Sequence, residues 1–305
     1  MFWPVIEDLE GTPKPPVGYQ EPIYFSEPPR SVGTFQRRAL LIGINGYSQN
    51  PLDGCLNDVH AFHRVLTKHY GFFPSDTTII TDHTPQLPTR ANILRALWEL
   101  ARDTEENDCL VVYYAGHGTR YSGSVYSRAP AVQEDVVDAI CPIDRGTIAN
   151  GEMVMDISSR DFDAVLSEVR ANVTVVLDCC HGGTFIDVLS CRKGKIRYTN
   201  SLPAMGRTLF QVPPVLPAVL HNASRVFLSA CTWYEIALEC RVDRGNETHG
   251  VFTQGLLDAL ELDIDHTMTY EDLMSQIGPL PSQTPVIRGN GITSRLWDVP
   301  RAIAK

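Results

Sequence analysis

Two short segments place reactive side chains directly after apolar runs that have the character of strands. His117 follows VVYYAG, and Cys179 and Cys180 follow VVLD. A thiol is a weak nucleophile until it loses its proton, at an ordinary pKa of about 8.5, and a nearby imidazole is the usual means of forming the thiolate. Neighbouring parallel strands would bring the two ends together. The pattern therefore predicts a cysteine–histidine pair at one edge of a sheet.

Small residues surround both reactive positions. Gly116 and Gly118 flank His117, and Gly182 and Gly183 follow the cysteines. Glycine allows tight turns and a close approach of a substrate backbone, and backbone N–H groups there are suited to stabilising an oxyanion. A purely structural interpretation stays open, because cysteine is among the most frequently buried residue types.

The elements that must position these groups are short apolar strands that alternate with amphipathic helices. The predicted strands are ALLIGI 39–44, TTIIT 77–81, CLVVYYA 109–115, VTVVLD 173–178, RVFLSAC 225–231 and TPVI 284–287. The predicted helices span 57–68, 90–102, 161–169, 253–262 and 270–277. Thr89 and Ser159 stand at N-cap positions. This alternation predicts a three-layer α/β sandwich around a mainly parallel six-stranded sheet, with ligands beyond the carboxyl ends of its strands.

Two segments depart from the alternation. Residues 1–36 carry seven prolines without sustained periodicity, which indicates an extended leader before a domain at 37–305. Residues 184–224 contain four prolines, and so long a connection within a compact domain is commonly functional or disordered. We therefore divide the domain into a large part, 37–183, a candidate processing loop, 184–224, and a small part, 225–305.

The charge balance argues against one class of partner. Asp and Glu total 36 against 26 Lys and Arg, so the net charge is −10. We expect no nucleic-acid partner and favour a cationic ligand. The first residues lack the basic flank and apolar core of a secretion signal, and no apolar run reaches the roughly 18 residues of a membrane span. We expect a cytoplasmic or nuclear protein that does not contact membranes.

The segments AGHG and DCCHGG, each after a valine-rich strand, together resemble the histidine loop and the DxCHxG cysteine loop of the metacaspases. ALLIGINGYSQNPLDGCLNDV at 39–59 is similar to the first strand and loop of that family, including its GCxND element. RVFLSACTWYEIA and GVFTQGLLDAL are similar to its smaller C-terminal part. The resemblance implies a caspase-hemoglobinase fold and a cysteine endopeptidase that acts through a thioester intermediate.

The resemblance also implies individual roles. Cys180 matches the catalytic cysteine and His117 the catalytic histidine, while Cys179 falls at a variable position and His181 is expected to be structural. Substitution of Cys179 should therefore be tolerated much better than substitution of Cys180. The backbone N–H groups of Gly118 and Cys180 are expected to hold the oxyanion.

In metacaspases the pocket for the side chain before the scissile bond is acidic, and Asp58 and Asp178 match its carboxylates. Cys55 and Ala115 match further pocket positions, although the family often has a serine where Ala115 stands. Two carboxylates that face one ligand disfavour each other's ionisation, and a guanidinium relieves this. We expect cleavage after Arg, then Lys, and poor cleavage after Asp. Glu235, after a strand that borders the cleft by resemblance, is a further candidate contact.

Calcium-activated metacaspases bind the ion through four aspartates, of which Asp138 and Asp187 match two. The other two align with Ser159 and Arg160, and an arginine puts positive charge where a hard cation would sit. We expect no required cofactor and weak or absent calcium dependence.

The processing loop contains the basic stretch CRKGKIR at 191–197 and also Arg207. If the enzyme prefers Arg or Lys, these bonds are candidate self-cleavage sites. An exposed charged loop that has no such role explains the stretch equally well.

Other functions stay open at this stage. A caspase-like enzyme that prefers Asp would need basic residues in the pocket. A catalytically quiet interaction module would use the same fold as a scaffold for a partner recruited through the leader. Zinc binding by Cys179, Cys180 and His181 is a weaker alternative, because adjacent residues seldom give tetrahedral geometry. For the enzyme, we expect protein or peptide substrates with basic residues, and a monomer.

Overall fold

The computed structural model describes residues 35–102, 104–122, 136–166, 169–180, 195–202, 223–232, 234–242 and 247–297. The strands are β1 Arg37–Gly43, β2 Thr77–Thr81, β3 Cys109–Ala115, β4 Gly118–Ser122, β5 Val136–Ile140, β6 Ile148–Ala149, β7 Glu152–Met153, β8 Ile157–Ser158, β9 Asn172–Asp178, β10 Lys195–Ile196, β11 Arg225–Ser229, β12 Leu238–Arg241, β13 Thr248–Gly250 and β14 Val286–Gly289. The helices are α1 Cys55–His69, α2 Arg90–Ala101, α3 Ser159–Leu166, α4 Val251–Leu260 and α5 Tyr270–Ile277, and a 3₁₀ turn spans Pro74–Asp76.

A six-stranded sheet of order β14, β11, β9, β3, β1, β2 forms the middle layer. Four of its five strand pairings are parallel, and at one edge β14 runs antiparallel to β11. Helix α4 contacts both α1 and α5, and α2 contacts α3. Helix α1 connects β1 to β2, and α2 connects β2 to β3 in the opposite direction along the sheet. Because both connections are right-handed crossovers, the two helix groups cover opposite faces of the sheet. The predicted three-layer sandwich is confirmed.

The central strands are apolar along their whole length because both of their faces are covered. Every residue of β3 is buried, and β1 and β9 are buried apart from their first residues and Leu177. A strand that lies between two helical layers has no solvent face, so the alternation of apolar and polar residues that marks a half-exposed strand is absent. These continuous runs made the strands recognisable in the sequence.

Most predicted elements are present within two residues of their expected bounds, and one predicted cap is shifted. Thr89 caps α2, since its hydroxyl accepts a hydrogen bond from the N–H of Asn92. Ser159, in contrast, is the first residue of α3, and the capping pair is Ser158 with Asp161. Ser158 was the stronger candidate in retrospect, because its partner three residues later is acidic, as in a capping box.

Three small sheets were not predicted from the sequence. They consist of β4, β5 and β8, of β10, β12 and β13, and of β6 with β7. Their strands are two to five residues long, too short for a periodic pattern to emerge. The first two matter for function because β4 and β10 lie beside the loops that follow β3 and β9.

Within the described residues, no helix combines the length and the apolar character that crossing a membrane requires.

An aromatic cluster fastens the last described residues to the first helix. Trp297 is buried and packs edge-on against Tyr70, Phe72 and Phe62, with ring centroids 4.4, 6.3 and 6.0 Å away. Such clusters combine a large apolar area with favourable edge-to-face geometry. The contact joins the last described residues to α1.

We expect Trp297→Ala to lower the free energy of unfolding by about 3–5 kcal/mol, since a buried aromatic side chain leaves a large cavity. Trp98→Ala is the matched control, because Trp98 lies on α2 with 51% of its surface exposed. Trp98→Ala should lower the free energy of unfolding by no more than about 0.5 kcal/mol. Urea unfolding followed by circular dichroism measures both values. Equal losses in the two variants would contradict the role assigned to Trp297.

Candidate active site

The carboxyl ends of three neighbouring strands meet at one edge of the sheet. Gly43 of β1 lies opposite Ala115 of β3, and Ala115 lies opposite Asp178 of β9. His117 and Cys180 each follow their strand by two residues, so the sheet register brings these two loops side by side. This is the juxtaposition that the strand-end pattern predicted.

His117 is buried, and the protein fixes which of its ring nitrogens carries the proton. Its Nε2 lies 2.7 Å from the backbone oxygen of Asn50. A carbonyl oxygen only accepts, so Nε2 is the protonated nitrogen and Nδ1 keeps its lone pair. Nδ1 is buried and makes no hydrogen bond of regular geometry to any described residue, although the Arg197 backbone lies near enough to the ring to favour its protonated form. Burial lowers the pKa of His117 to about 4, so the imidazole is neutral at physiological pH and able to accept a proton at Nδ1.

Two tyrosines that the sequence analysis did not single out hold the histidine loop. The Tyr47 hydroxyl accepts a hydrogen bond from the His117 N–H at 3.0 Å, and the Tyr114 hydroxyl donates to the His117 carbonyl at 2.7 Å. The Tyr47 ring also packs on the imidazole, with centroids 4.4 Å apart. Both tyrosines are buried, and their hydroxyls are hydrogen-bonded to each other at 3.0 Å. The histidine is therefore positioned from its backbone and from its ring face.

Cys180 is buried with its sulfur against the backbone of Ala237. The Ala237 N–H donates to Sγ at 2.9 Å. Burial raises the pKa of the Cys180 thiol well above its ordinary value, and the neighbouring thiol of Cys231 acts in the same direction. In this arrangement the cysteine is a protonated thiol, and the histidine of the neighbouring loop is a neutral imidazole.

The cleft beside these residues is occupied by the protein's own Arg197. Its side chain is fully buried, which is exceptional for a residue type that is almost never buried unless it is paired. The guanidinium lies 2.5 Å from Asp58, 3.1 Å from Asp178 and 3.6 Å from Glu239. All three carboxylates are themselves buried. The two predicted pocket acids thus converge on one cation, and Glu239 joins them.

Each of these carboxylates is held by further donors. Asp58 accepts the N–H of Gly250 and pairs with His249, whose Nδ1 is 2.9 Å from it. Asp178 accepts the N–H and the hydroxyl of Thr253, at 3.1 and 2.6 Å. Gly250 and Thr253 belong to the first turn of α4, so the positive end of that helix faces both acids.

The third acid is fixed in the same manner. Glu239 accepts the N–H groups of Asp53 and Gly54, at 2.8 and 3.0 Å. Burial raises the pKa of Asp178, and the Arg197 charge opposes that shift. The pocket is therefore a rigid cluster of acids that is satisfied when a cation fills it.

The backbone of Arg197 is bound as firmly as its side chain. Its carbonyl oxygen accepts the N–H groups of Gly118 and Cys180, at 3.0 and 3.2 Å, and its own N–H donates to Ala237 at 3.0 Å. The preceding residues, Lys195 and Ile196, form β10 and pair antiparallel with β12. The two N–H groups predicted to hold an oxyanion thus hold the carbonyl of an arginine whose side chain fills the acidic pocket.

Two glycines are required for this close approach. A Cβ at Gly118 would lie 1.9 Å from the carbonyl oxygen of Cys180, and one at Gly250 would lie 2.1 Å from the carboxylate of Asp178. Neither distance is sterically possible, and both obstructing groups belong to the site itself. Gly118 permits the contact between the histidine and cysteine loops, and Gly250 permits the carboxylate to reach the start of α4.

The remaining pocket predictions have mixed outcomes. Cys55 and Ala115 are both buried at the sheet edge, at the start of α1 and the end of β3. Glu235 was expected as a further contact to the substrate, but its carboxylate instead accepts hydrogen bonds from Thr232 and Thr284. The acid of this stretch that faces the guanidinium is Glu239. Glu239 is a buried residue of β12, whereas Glu235 lies in the preceding turn.

The described part of the predicted calcium site does not fit the ion. Both carboxylate oxygens of Asp138 accept from the guanidinium of Arg120, at 2.7 and 3.2 Å, and Ser159 supplies no charge. Asp187 lies outside the described residues, as do His181 of the zinc alternative and Arg207. No group of three or more His, Cys, Asp or Glu side chains among the described residues is arranged to hold a metal ion. Calcium wants several oxygen ligands, and here one carboxylate is already neutralised.

The contacts that the sequence analysis missed had only weak signals. Arg197 stood in the basic stretch 191–197, but nothing in the sequence distinguished it from its neighbours. Glu239 and His249 lie on strands of three or four residues whose partners are distant in the chain. Their roles depend on which strand faces the cleft, and this is a property of the tertiary structure.

Comparison with known proteins agrees with this geometry. The chain is 33% identical to Metacaspase-1 of Kluyveromyces lactis over 225 residues, which is 66% of this chain and 50% of that protein. It is 35% identical to Metacaspase-1 of Saccharomyces cerevisiae over 185 residues, 57% of this chain and 40% of the relative. Metacaspase-1B of Aspergillus fumigatus is 37% identical over 171 residues, 52% and 38% of the two chains. The chain thus spans half or less of the length of these relatives.

A solved structure supports the fold. The crystal structure of protein GSU0716 from Geobacter sulfurreducens aligns with a TM-score of 0.63 and 20% identity, over 87% of this chain and 99% of the other. Residues 37–189 match the family described as metacaspase, peptidase C14 domain. The histidine loop, the cysteine loop and strands β1, β2, β3 and β9 of the central sheet fall within that match, and the chain belongs to the metacaspase family.

Proposed function

We propose that this chain is a cysteine endopeptidase that cleaves after Arg, and less readily after Lys, and that one of its substrates is its own Arg197–Tyr198 bond. One observation carries the proposal. Arg197 has its side chain among three buried carboxylates while its carbonyl oxygen accepts the N–H groups of Gly118 and Cys180. A residue held at both ends in this way is bound as a substrate residue before a scissile bond.

The chemistry follows from the positions of the groups. The Cys180 thiol gives its proton to Nδ1 of His117, and the thiolate attacks the carbonyl carbon of the arginine. The negative charge that develops on the oxygen is stabilised by the N–H groups of Gly118 and Cys180, which are already aimed at it. The imidazolium then protonates the leaving amine as the C–N bond breaks. Water attacks the thioester, His117 accepts its proton, and Cys180 leaves as the thiol.

The pocket explains the order of preference. A guanidinium is planar and presents several donors, so it reaches Asp58 and Asp178 at once. A lysine ammonium is a single point charge and would engage the same acids less completely. An aspartate would place a fourth carboxylate in the cluster, which like-charge repulsion opposes. The alternative of a caspase-like preference for Asp is therefore disfavoured.

The quiet interaction module is the second alternative. The described site supplies every group that thiol peptidase chemistry needs: a thiol, an imidazole with an open Nδ1 and two oxyanion donors. A scaffold would not need these groups, so we favour the enzyme. The occupied cleft implies a resting state that has no activity toward other proteins until segment 195–202 leaves.

We expect the purified chain to cut itself between Arg197 and Tyr198. Cys180→Ala should remain intact at this bond, because the nucleophile is lost, whereas Cys179→Ala should still be cut. Both cysteines are buried neighbours, so this pair separates catalysis from packing. Intact mass spectrometry and N-terminal sequencing of the smaller fragment identify the bond.

A second matched pair tests the arginine itself. Arg197→Gln should block cleavage at this bond, and Lys195→Gln should not, because the Lys195 side chain is exposed and pairs with the exposed Asp53. A cut that persists in Cys180→Ala, or one that begins at another residue in the unmodified chain, would refute self-cleavage at Arg197.

Specificity is tested on the self-cleaved enzyme with peptides that differ only before the scissile bond. Citrulline has the shape of arginine without its charge, and we expect its kcat/KM to be lower by about a hundredfold or more, because the buried acids lose their cation. The kcat/KM of the Lys peptide should lie between those of the Arg and citrulline peptides, and the Asp peptide should not be hydrolysed. Comparable rates for Arg and citrulline would exclude the acidic pocket as the basis of selection. No turnover of any peptide would favour the interaction module.

Calcium is expected to have little effect. Millimolar calcium and a chelator should change the rate of Arg-peptide hydrolysis by less than about twofold, because the described part of the matching site offers no free set of oxygen ligands. Magnesium at the same concentration controls for ionic strength. A tenfold stimulation by calcium alone would show that residues outside the described part complete a site.

A further inference from the structure

Segment 198–202, which follows the arginine, lies against the Gly118 carbonyl, Arg145 and Tyr121. We call this surface the channel, and the chemistry above does not require it. Its first residues run beside the histidine loop: Tyr198 bridges to Gly118 in parallel fashion, and the Thr199 N–H donates to the Gly118 carbonyl at 3.3 Å. The chain therefore continues past the reactive centre in an extended conformation. An extended peptide offers its backbone groups at regular intervals to whatever lines the channel.

Arg145 binds the third residue after the scissile bond. One Nη donates to the carbonyl oxygen of Asn200 at 2.9 Å, and the other lies 3.3 Å from the hydroxyl of Thr199. The backbone contact is independent of the side chain at that position. At Asn200, Arg145 therefore binds the main chain whatever the side chain, and at Thr199 it adds a contact to a hydroxyl.

The arginine is locked in place by groups behind it. Asp156 is fully buried and receives two hydrogen bonds from Arg145, each of 2.8 Å, in a bidentate pair. The Tyr121 hydroxyl donates to the same carboxylate. A guanidinium fixed on one edge by a carboxylate keeps its remaining donors aimed in one direction. The channel is thus preorganised.

A small apolar cluster receives the fifth residue. Leu202 packs against the second core, formed by Tyr121, Val137, Ala139 and Met155 with Met153. The Leu202 N–H donates to the Tyr121 hydroxyl at 3.2 Å. This cluster is separate from the main core of the domain. Leu202, from the segment in the channel, is an apolar contact of this cluster.

We infer that Arg145, Tyr121 and this apolar cluster form a binding site for the primed side of protein substrates, which holds the backbone carbonyl of the third residue and an apolar side chain at the fifth residue after the scissile bond. The inference rests on the proposed peptidase function. The ligand class is an extended peptide, and the chain's own segment 198–202 occupies the site until self-cleavage frees it.

The test compares peptides that share Lys-Ile-Arg before the scissile bond and end in an amide one, three or five residues after it, in the order Tyr-Thr-Asn-Ser-Leu. With the unmodified, self-cleaved protein, kcat/KM should rise about tenfold from one to three residues, the gain expected of a hydrogen bond to a charged group. It should rise about fivefold or more from three to five residues, as the leucine is buried. Replacing that leucine by aspartate should remove the second gain.

Variants assign the gains to the channel. Arg145→Ala should abolish the first gain and keep the second, whereas Arg64→Ala, which removes an exposed arginine from α1, should keep both. Efficiencies are expressed relative to a short Arg reporter with a fluorogenic leaving group, because that ratio cancels differences in the fraction of active enzyme. If Arg145→Ala does not fold, the length series on the unmodified protein decides alone.

Two failures are distinguishable. If the short reporter is hydrolysed but efficiency does not change between one and five primed residues, the channel is no substrate site and serves only to hold the intact chain. If the unmodified protein hydrolyses neither the reporter nor its own Arg197–Tyr198 bond, the proposed peptidase function fails, and the inference fails with it.

Discussion

The burial of Arg197 among three carboxylates is the constraint that organises this site. Removing an ion from water costs several kcal/mol even in a real protein interior, and the cost is offset only when geometry and further hydrogen bonds are good. Here the acids come from α1, from the end of β9 and from β12, and the start of α4 supplies donors to two of them. Elements distant in the chain must therefore be correctly packed before the pocket exists. Three carboxylates line the pocket, so the side chain that it binds best is a cation.

Under the proposed function, the contacts that bind Arg197 as a substrate residue also block the cleft. The segment is anchored before the arginine by pairing of β10 with β12, and after it by the Gly118 backbone and Arg145. A tethered segment competes at a high effective concentration, so a substrate from solution is disfavoured while the chain is intact. Burial keeps the thiol protonated and the imidazole neutral. Under the proposed function, cutting this segment both performs the reaction and begins to open the site.

Membership of a family does not by itself transfer every property of its members. Fold similarity to GSU0716 at 20% identity concerns architecture, whereas function resides in the particular side chains of a site. The Arg120–Asp138 pair illustrates the difference, because a residue that matches a calcium ligand is here the partner of a guanidinium. Arg145 is a second example: its role follows from its bidentate pair with Asp156 and from the segment it contacts.

The sequence alone determined the layered fold and the placement of His117 and Cys180 at one edge of the sheet. Continuous apolar runs identify strands covered on both faces, and parallel neighbours necessarily bring the ends that carry His117 and Cys180 to one edge. The resemblance to the metacaspases added Asp58 and Asp178. The tertiary structure decided the rest: which basic residue of 191–197 fills the pocket, that Glu239 rather than Glu235 faces it, and that a channel continues beyond the cleft. These features depend on strands of two to five residues and on pairs far apart in the chain, whose register is set by packing and leaves no periodic trace in the sequence.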